Sequence, residues 1–229
     1  MTAGVSTGQI AVQIVIGVTV LGAALFGTAG TVKWVEGWAY LLLQTLFSVA
    51  AAIWLKRNNP DLLRERMTFL KKTGKTWDKA IVLIMTVVFI PYLTLAGLDG
   101  GRYHWSHVPP AAQFAGFAGI VLVFILFFQV MRVNTYLSRV VEIQKERGHQ
   151  VVTTGPYRYV RHPMYAGAIV LFLCIPLALG SLWALSPGGF LVVLIVVRTY
   201  LEDRTLHREL EGYDAYAQRV RYRLIPGIW

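Results

Sequence analysis

Six apolar runs divide this chain, and five of them have about the 20 residues that a helix needs to cross a hydrocarbon core. They cover residues 10–29, 34–55, 80–98, 111–131 and 165–185, with a sixth over 190–201. In lipid, backbone N–H and C=O groups are satisfied only in a helix or a closed barrel, and long runs without strict alternation select helices. Composition agrees: 55% of the 229 residues are hydrophobic and 15% charged, with mean hydropathy +0.53, too apolar for a water-soluble domain. The sixth run is apolar only from Phe190 to Val197 and crosses only by sharing its length with the amphipathic stretch that follows. The expected fold is an all-α integral membrane protein of about six segments, with N-terminal spans over 1–131 and a distinct region over 132–229. No Lys or Arg precedes the first run, and its apolar stretch exceeds the core of a cleavable signal peptide, so it reads as a retained span.

The net charge is +10. In a soluble chain this would point to nucleic acid, but here the basic residues cluster between apolar runs, so membrane lipids are the expected partner and nucleic acid is not. With the N-terminus inside, segments 56–79, 132–163 and the tail from 198 hold eight, six and six of the 22 Lys and Arg, and only Lys33 and Arg102 lie outside. That bias predicts a multi-pass protein with both termini cytoplasmic. Trp34, Trp38, Tyr103, Trp105 and Trp183 fall near the outer boundary, as an aromatic belt would. Segment 56–79 reads as a basic amphipathic connector, with Leu62, Leu63, Met67 and Leu70 on one face, lying on anionic headgroups. The single cysteine, Cys174, has no partner for an internal disulfide and reads as an apolar packing residue.

Residues 132–163 are polar and punctuated by Gly148 and Gly155-Pro156, which predicts a folded loop with a turn near Glu146 to Gly148. Pro163 suits the first position of the next helix, where its missing N–H has no helical partner in any case. Pro187-Gly188-Gly189-Phe190 reads as the turn joining the last two segments into an antiparallel helical hairpin, with Pro176 and Gly180 as bend points on the outgoing helix. The hairpin brings His162 and Tyr165 back near Arg198 and Glu202. A helix N-terminus behind His162 and the charge of Arg161 suit an anion. Arg198 and Glu202, four apart, share a helix face, the first suited to an anion and the second to an ammonium or a hydroxyl. Tyr157, Tyr159 and Tyr165 offer aromatic faces to a ring or a sulfonium. The set suits a zwitterionic, nucleoside-bearing ligand without naming one. Residue by residue the plainer readings stand: a histidine cap, an i, i+4 ion pair worth a few tenths of a kcal/mol, and tyrosine anchors at the interface. A P-loop, a Gly-rich dinucleotide motif, a nucleophile elbow and a Cys/His cluster of metal-ligand spacing are absent from the sequence.

The stretch HQVVTTGPYRYVRHPMYAG, then RTYLED, then YDAYAQRVRYRLIPGIW resembles the isoprenylcysteine carboxyl methyltransferase family, part of a wider group with membrane phospholipid methyltransferases. The resemblance covers residues 130–229, and the R-H-P-x-Y element is shared with membrane sterol reductases. It implies S-adenosylmethionine as methyl donor, held on the cytoplasmic side by the loop before the hairpin and by the last helix. The aromatic, basic tail from Gly212 to Trp229 is expected either to fold back over the donor pocket or to rest on headgroups. By position, donor contacts fall on Glu142, on His149, Gln150, Val151 and Val152, on Tyr157, on His162, Pro163, Met164 and Tyr165, and on Glu202. At 142 the eukaryotic enzymes carry Gln, and the acidic pair is Glu202-Asp203 where Glu-Glu is commoner. Arg198 corresponds to the arginine that orients the substrate, which makes Arg198 and Glu202 the catalytic pair. The implied acceptor is lipophilic, a prenylcysteine carboxylate by family, with a phospholipid amine or a small thiol as alternatives. An NADPH-dependent sterol-type reductase and a non-enzymatic membrane scaffold or transporter are the competing classes.

Overall fold

Helices make up all the regular structure of the computed structural model, which describes residues 5–67, 74–138 and 140–229. Leu70, assigned to the amphipathic face of the connector, lies outside the described residues. The helices are α1 (Thr7–Ala29), α2 (Val35–Asn58), α3 (Pro60–Met67), α4 (Thr76–Ala96), α5 (Pro110–Val133), α6 (Pro163–Ala178), α7 (Leu185–Glu209) and α8 (Tyr213–Arg219). Five are long and apolar enough to cross a membrane: α1, α2, α4 with its continuation to Tyr103, α5 and α7. The protein is an all-α, multi-pass membrane protein.

Local chemistry sets the ends of these helices. Ser6 and Gln9 form a capping box at the start of α1, and Gly30 ends it at φ +65°, a left-handed conformation that glycine adopts without a Cβ clash. Glu36 sits in the first turn of α2 and Lys56 and Arg57 in its last, matching the helix dipole. Past Ala96, α4 widens into a π turn over Gly97–Tyr103. The fully buried Asp99 there accepts from Ser106 N (2.7 Å), Ser106 Oγ (2.6 Å), Ser181 Oγ (2.7 Å) and Trp183 N (3.3 Å). One carboxylate thus ties two loops to the π turn at the far end of the bundle. Pro163 opens α6, as predicted.

The last hairpin is partitioned differently from the sequence reading. The fifth segment, expected over 165–185, ends at Ala178, and α6 has 16 residues, about 24 Å of helix. The turn occupies residues 179–184, with Gly180 at φ +75°. Pro187, Gly188 and Gly189 do not make the turn; they lie within the first five residues of α7, with Pro187 in the first turn, where proline costs no helical hydrogen bond. Gly188 is there for packing: a Cβ would stand 3.0 Å from the Phe172 carbonyl and 3.1 Å from the Tyr92 ring. The sixth segment crosses as a full 25-residue helix.

Small residues let the helices approach closely, since lipid provides no hydrophobic drive for their association. A Cβ on Gly116 of α5 would meet the Ala178 amide nitrogen at 2.6 Å and the Cys174 carbonyl at 2.8 Å, both backbone atoms of α6. Leu25, Tyr92, Ile120, Ile175, Leu179 and Leu191 fill the core and are buried, and Cys174 packs against it. Trp34, read as a belt residue, is instead buried against Phe26 and the glycines at 37 and 101. Trp38, Tyr103, Trp105 and Trp183 are exposed. In the connector, Leu62 and Leu63 are buried against Leu55 and Met131 inside the protein, with Met67 packed beside them, so the apolar face of α3 is turned to the bundle and not to lipid headgroups.

Gly116→Ala is expected to lower the melting temperature of the detergent-purified protein by several degrees, because overpacking against backbone costs about 1–3 kcal/mol. Gly189→Ala, whose Cβ meets nothing within 4 Å, should leave it unchanged or raise it. Equal melting temperatures for both variants would contradict the packing described.

Candidate functional site

The C-terminal end of α5, both ends of the 134–162 loop, the N-terminal ends of α4 and α6 and the C-terminal end of α7 gather at one end of the bundle. The loop is built by its own side chains. Asn134 caps α5, accepts from the Tyr136 amide (2.9 Å) and donates to the Tyr157 hydroxyl (2.6 Å). Tyr136 stacks on His149 at 4.4 Å and donates to the Gly148 carbonyl. Gln144 donates to the Tyr136 carbonyl (2.9 Å), and Arg147 donates to the Gln144 side chain (2.6 Å). Residues 145–147 form a single 3₁₀ turn ending at Gly148, φ +61°, where the sequence predicted one. Burial, with the Arg147 charge nearby, pushes the His149 pKa down despite an opposing contribution from Glu142, so this imidazole is neutral at physiological pH. Burial pushes the Tyr157 hydroxyl well up, which keeps it protonated.

Glu202 and Asp203 are adjacent on α7 but face different partners, because one helical residue turns the side chain by about 100°. Asp203 is 1% exposed. It accepts from Arg161 Nε (2.8 Å) and Nη2 (3.0 Å), Arg223 Nε (2.7 Å) and Tyr213 Oη (2.8 Å), and lies 3.2 Å from His162 Nε2. The remaining Arg161 nitrogen donates to the carbonyls of Val220 and Arg221 (both 2.8 Å). Backbone amides of Arg161 and His162 donate to the carbonyls of Tyr222 and Arg223 (both 2.9 Å). Burial alone would lower the Arg161 pKa, but Asp203 holds it above its ordinary value. Burial, and then Asp203, push the Tyr213 hydroxyl up, so it stays a donor. The C-terminal tail is thereby fixed across the start of α6. Arg161, read as free charge for an anion, is committed to Asp203 and the tail. His162 makes no side-chain cap on α6; its ring faces Asp203 and lies parallel to Tyr165.

Glu202 accepts instead from the Tyr165 hydroxyl. Arg198, on the same face of α7, lies over the Tyr165 ring, 5.3 Å from its centroid. Arg198 also donates from Nε to Asp78 Oδ1 (2.7 Å) and from Nη2 to Asp78 Oδ2 (3.2 Å). A pairing of Arg198 with Asp78 on α4 was not foreseen. Asp78 sits in a strongly basic segment, and sequence alone gives it no mark beyond its place in the first turn of a helix.

These groups surround a cavity of about 320 Å³, within the usual range of ligand pockets. Glu142 and residues 149–152 line one wall; Tyr157, His162, Met164 and Tyr165 line a second; Arg198 and Glu202 line a third. Pro163 is not on the cavity surface, because its ring begins α6 and packs into the protein. Tyr159 is 71% exposed and points away. The structure adds Tyr213 and Tyr216 of α8 to the lining, and the Tyr216 hydroxyl donates to the Tyr157 carbonyl (2.8 Å). The tail therefore folds over the cavity, the alternative to lying on headgroups. Arg66 of α3 also reaches the lining, so the connector contributes to the site. Among the described residues, no three His, Cys, Asp or Glu side chains cluster as metal ligands would.

Residues 111–211 match the family model described as phospholipid methyltransferase. The match runs from the start of α5 through the loop and hairpin to just past α7, and so includes every sequence-selected site residue. Over 154 residues, 62% of this chain, the sequence is 28% identical to probable protein-S-isoprenylcysteine O-methyltransferases of Oryza sativa subsp. indica and subsp. japonica, 74% of whose length is covered. Family and relatives together support a membrane methyltransferase, in line with the resemblance carried by the motifs.

Removing one partner of a buried ion pair costs about 3–5 kcal/mol. Asp203→Ala is therefore expected to free the tail, so that trypsin cuts at Arg219, Arg221 and Arg223 well before it cuts the wild type under the same conditions. Equal protection in both proteins would show that the tail is held by something other than Asp203.

Proposed function

We propose that this protein is an S-adenosylmethionine-dependent methyltransferase that methylates the carboxylate of a lipophilic, prenylcysteine-like acceptor. The observation that carries the proposal is the convergence of eleven motif-selected residues, from 142 to 202, on one cavity at one end of the bundle. The residues present fit the donor: a carboxylate at 202, neutral hydrogen-bonding groups along 149–152, and the rings of Tyr157 and Tyr165. In this reading Glu202 holds the ammonium or a ribose hydroxyl, Tyr157 and Tyr165 face the cationic and planar parts, and His149 to Val152 bind the rest. When bound, the donor supplies a methyl group on sulfonium.

The chain's own residues then have two tasks. Arg198 binds and orients the acceptor's carboxylate, since a methyl displacement needs alignment of nucleophile and donor more than a proton transfer. The tail, through Tyr213 and Tyr216, excludes water from a step in which opposite charges are neutralised. The basic bias supports a cytoplasmic position for this end of the bundle and both termini, with the acceptor's apolar part remaining in the bilayer. The family description favours a second reading, in which the acceptor is a phospholipid amine; that nucleophile needs deprotonation, with Glu202 or His162 as base.

Calorimetric titration in detergent is expected to show binding of S-adenosylhomocysteine and none of NADPH; the reverse pattern would place the chain with the reductases. Glu202→Gln, which keeps the bond from Tyr165 but removes the charge, should weaken S-adenosylhomocysteine binding at least tenfold, and unchanged affinity would remove Glu202 from the donor site. With methyl-labelled donor, a farnesylated cysteine with a free carboxylate should gain a base-labile label, whereas label in phosphatidylethanolamine would establish the amine acceptor.

A further inference from the structure

Accepting that Arg198 orients an anionic acceptor, we propose that Asp78 is a positioning residue for that arginine and for the cavity wall opposite it. Asp78 lies in the first turn of α4, outside the stretch 111–211, and has no exposed surface. It does not line the cavity, but its two immediate partners do. Both its oxygens bind Arg198, at 2.7 and 3.2 Å, and Oδ2 also accepts from the Val141 amide at 2.8 Å. One carboxylate therefore joins α4, α7 and the loop segment that carries Glu142.

Stability does not account for this pair. Desolvating a carboxylate and a guanidinium costs several kcal/mol per ion, and a well-packed apolar pair commonly serves a fold as well or better. Orientation does account for it. A guanidinium is planar, and a carboxylate gripping its Nε and Nη2 edge fixes the plane, which an unpaired flexible side chain would not hold. That plane lies over the Tyr165 ring, and Tyr165 in turn donates to Glu202. Asp78 thus acts at second hand on both proposed roles of α7: directly on the arginine that aligns the acceptor, and through the ring on the carboxylate that holds the donor. The stronger effect falls on the acceptor, because Asp78 touches Arg198 and does not touch Glu202.

The test compares wild type, Asp78→Asn, Arg198→Lys and the double variant in detergent. Three quantities are measured: S-adenosylhomocysteine affinity by calorimetry, kcat and KM with a farnesylated cysteine, and ligand-free amide exchange over 140–142. Asp78→Asn is expected to lower kcat at least tenfold while donor affinity stays within threefold, and exchange at Val141 should speed up. The double variant should be no slower than the slower single variant, since both changes break one unit. Wild-type kcat in folded Asp78→Asn, a donor affinity that falls in step with kcat, or additive losses in the double variant would each overturn the proposal. If Asp78→Asn does not fold, Asp78→Glu, which keeps the charge and shifts it by one methylene, carries the same comparison of kcat with donor affinity. Absence of S-adenosylhomocysteine binding to wild type would count against the methyltransferase reading; the exchange measurement would then still decide whether Asp78 holds the wall, with unchanged exchange at Val141 refuting it.

Discussion

A buried carboxylate at the end of a membrane helix governs the architecture of this site. Asp203 would be prohibitively costly to bury alone, so its surroundings are organised to compensate it: two arginines, a tyrosine hydroxyl and an imidazole from three separate parts of the chain. Those parts are the residues before α6, the start of α8 and the C-terminal tail. Satisfying one charge therefore helps bring these segments together, beside the small apolar cluster of Leu210, Tyr213 and Tyr216, and the cavity is the space left between them. At the same end Asp78 does for α4, α7 and the loop what Asp203 does for α6, α7 and the tail. Two buried ion-pair centres, offset along α7 by the five residues from 198 to 203, bracket the cavity-facing Glu202.

The division of labour between Glu202 and Asp203 follows from helix geometry. Side chains at 198 and 202 share a face, so both look into the cavity; 203 is turned toward the tail. Placing a structural carboxylate beside a cavity-facing one lets the first hold the walls while the second stays on the cavity surface, aligned by a hydrogen bond from Tyr165. Tyr165 itself is held between His162 and Arg198, so rings and charges alternate along the wall.

Much of this was legible in the sequence, for identifiable reasons. Apolar run length gave the helices, Pro163 the start of α6, and Gly148 the loop turn, because each rests on a local steric or hydrogen-bonding rule. The motif residues 149–152, 157, 162, 164, 165, 198 and 202 converge because the hairpin returns the chain to its starting level. The failures concern tertiary context. Pro187-Gly188-Gly189 has turn composition, yet Gly188 answers to the close approach of Tyr92 and Phe172. Trp34 has interface composition, yet glycines at 37 and 101 open a slot that buries it. Asp78 carries no local signature, and the acidic pair marks Asp203 without revealing its partners, since both roles exist only once distant arginines are brought to them. Tyr213 and Tyr216 were visible as a tail motif, but only packing decides whether such rings cover a cavity or rest on headgroups.

In the proposed function, the space between the loop, the hairpin and α8 holds an adenosyl nucleoside with its charged end at Glu202. A structure determined with S-adenosylhomocysteine bound tests it most directly. Ligand density is expected inside this cavity, touching Glu202 and the 149–152 stretch beneath Tyr213 and Tyr216. Ligand density at any other place on the bundle, with the cavity still empty, would contradict it.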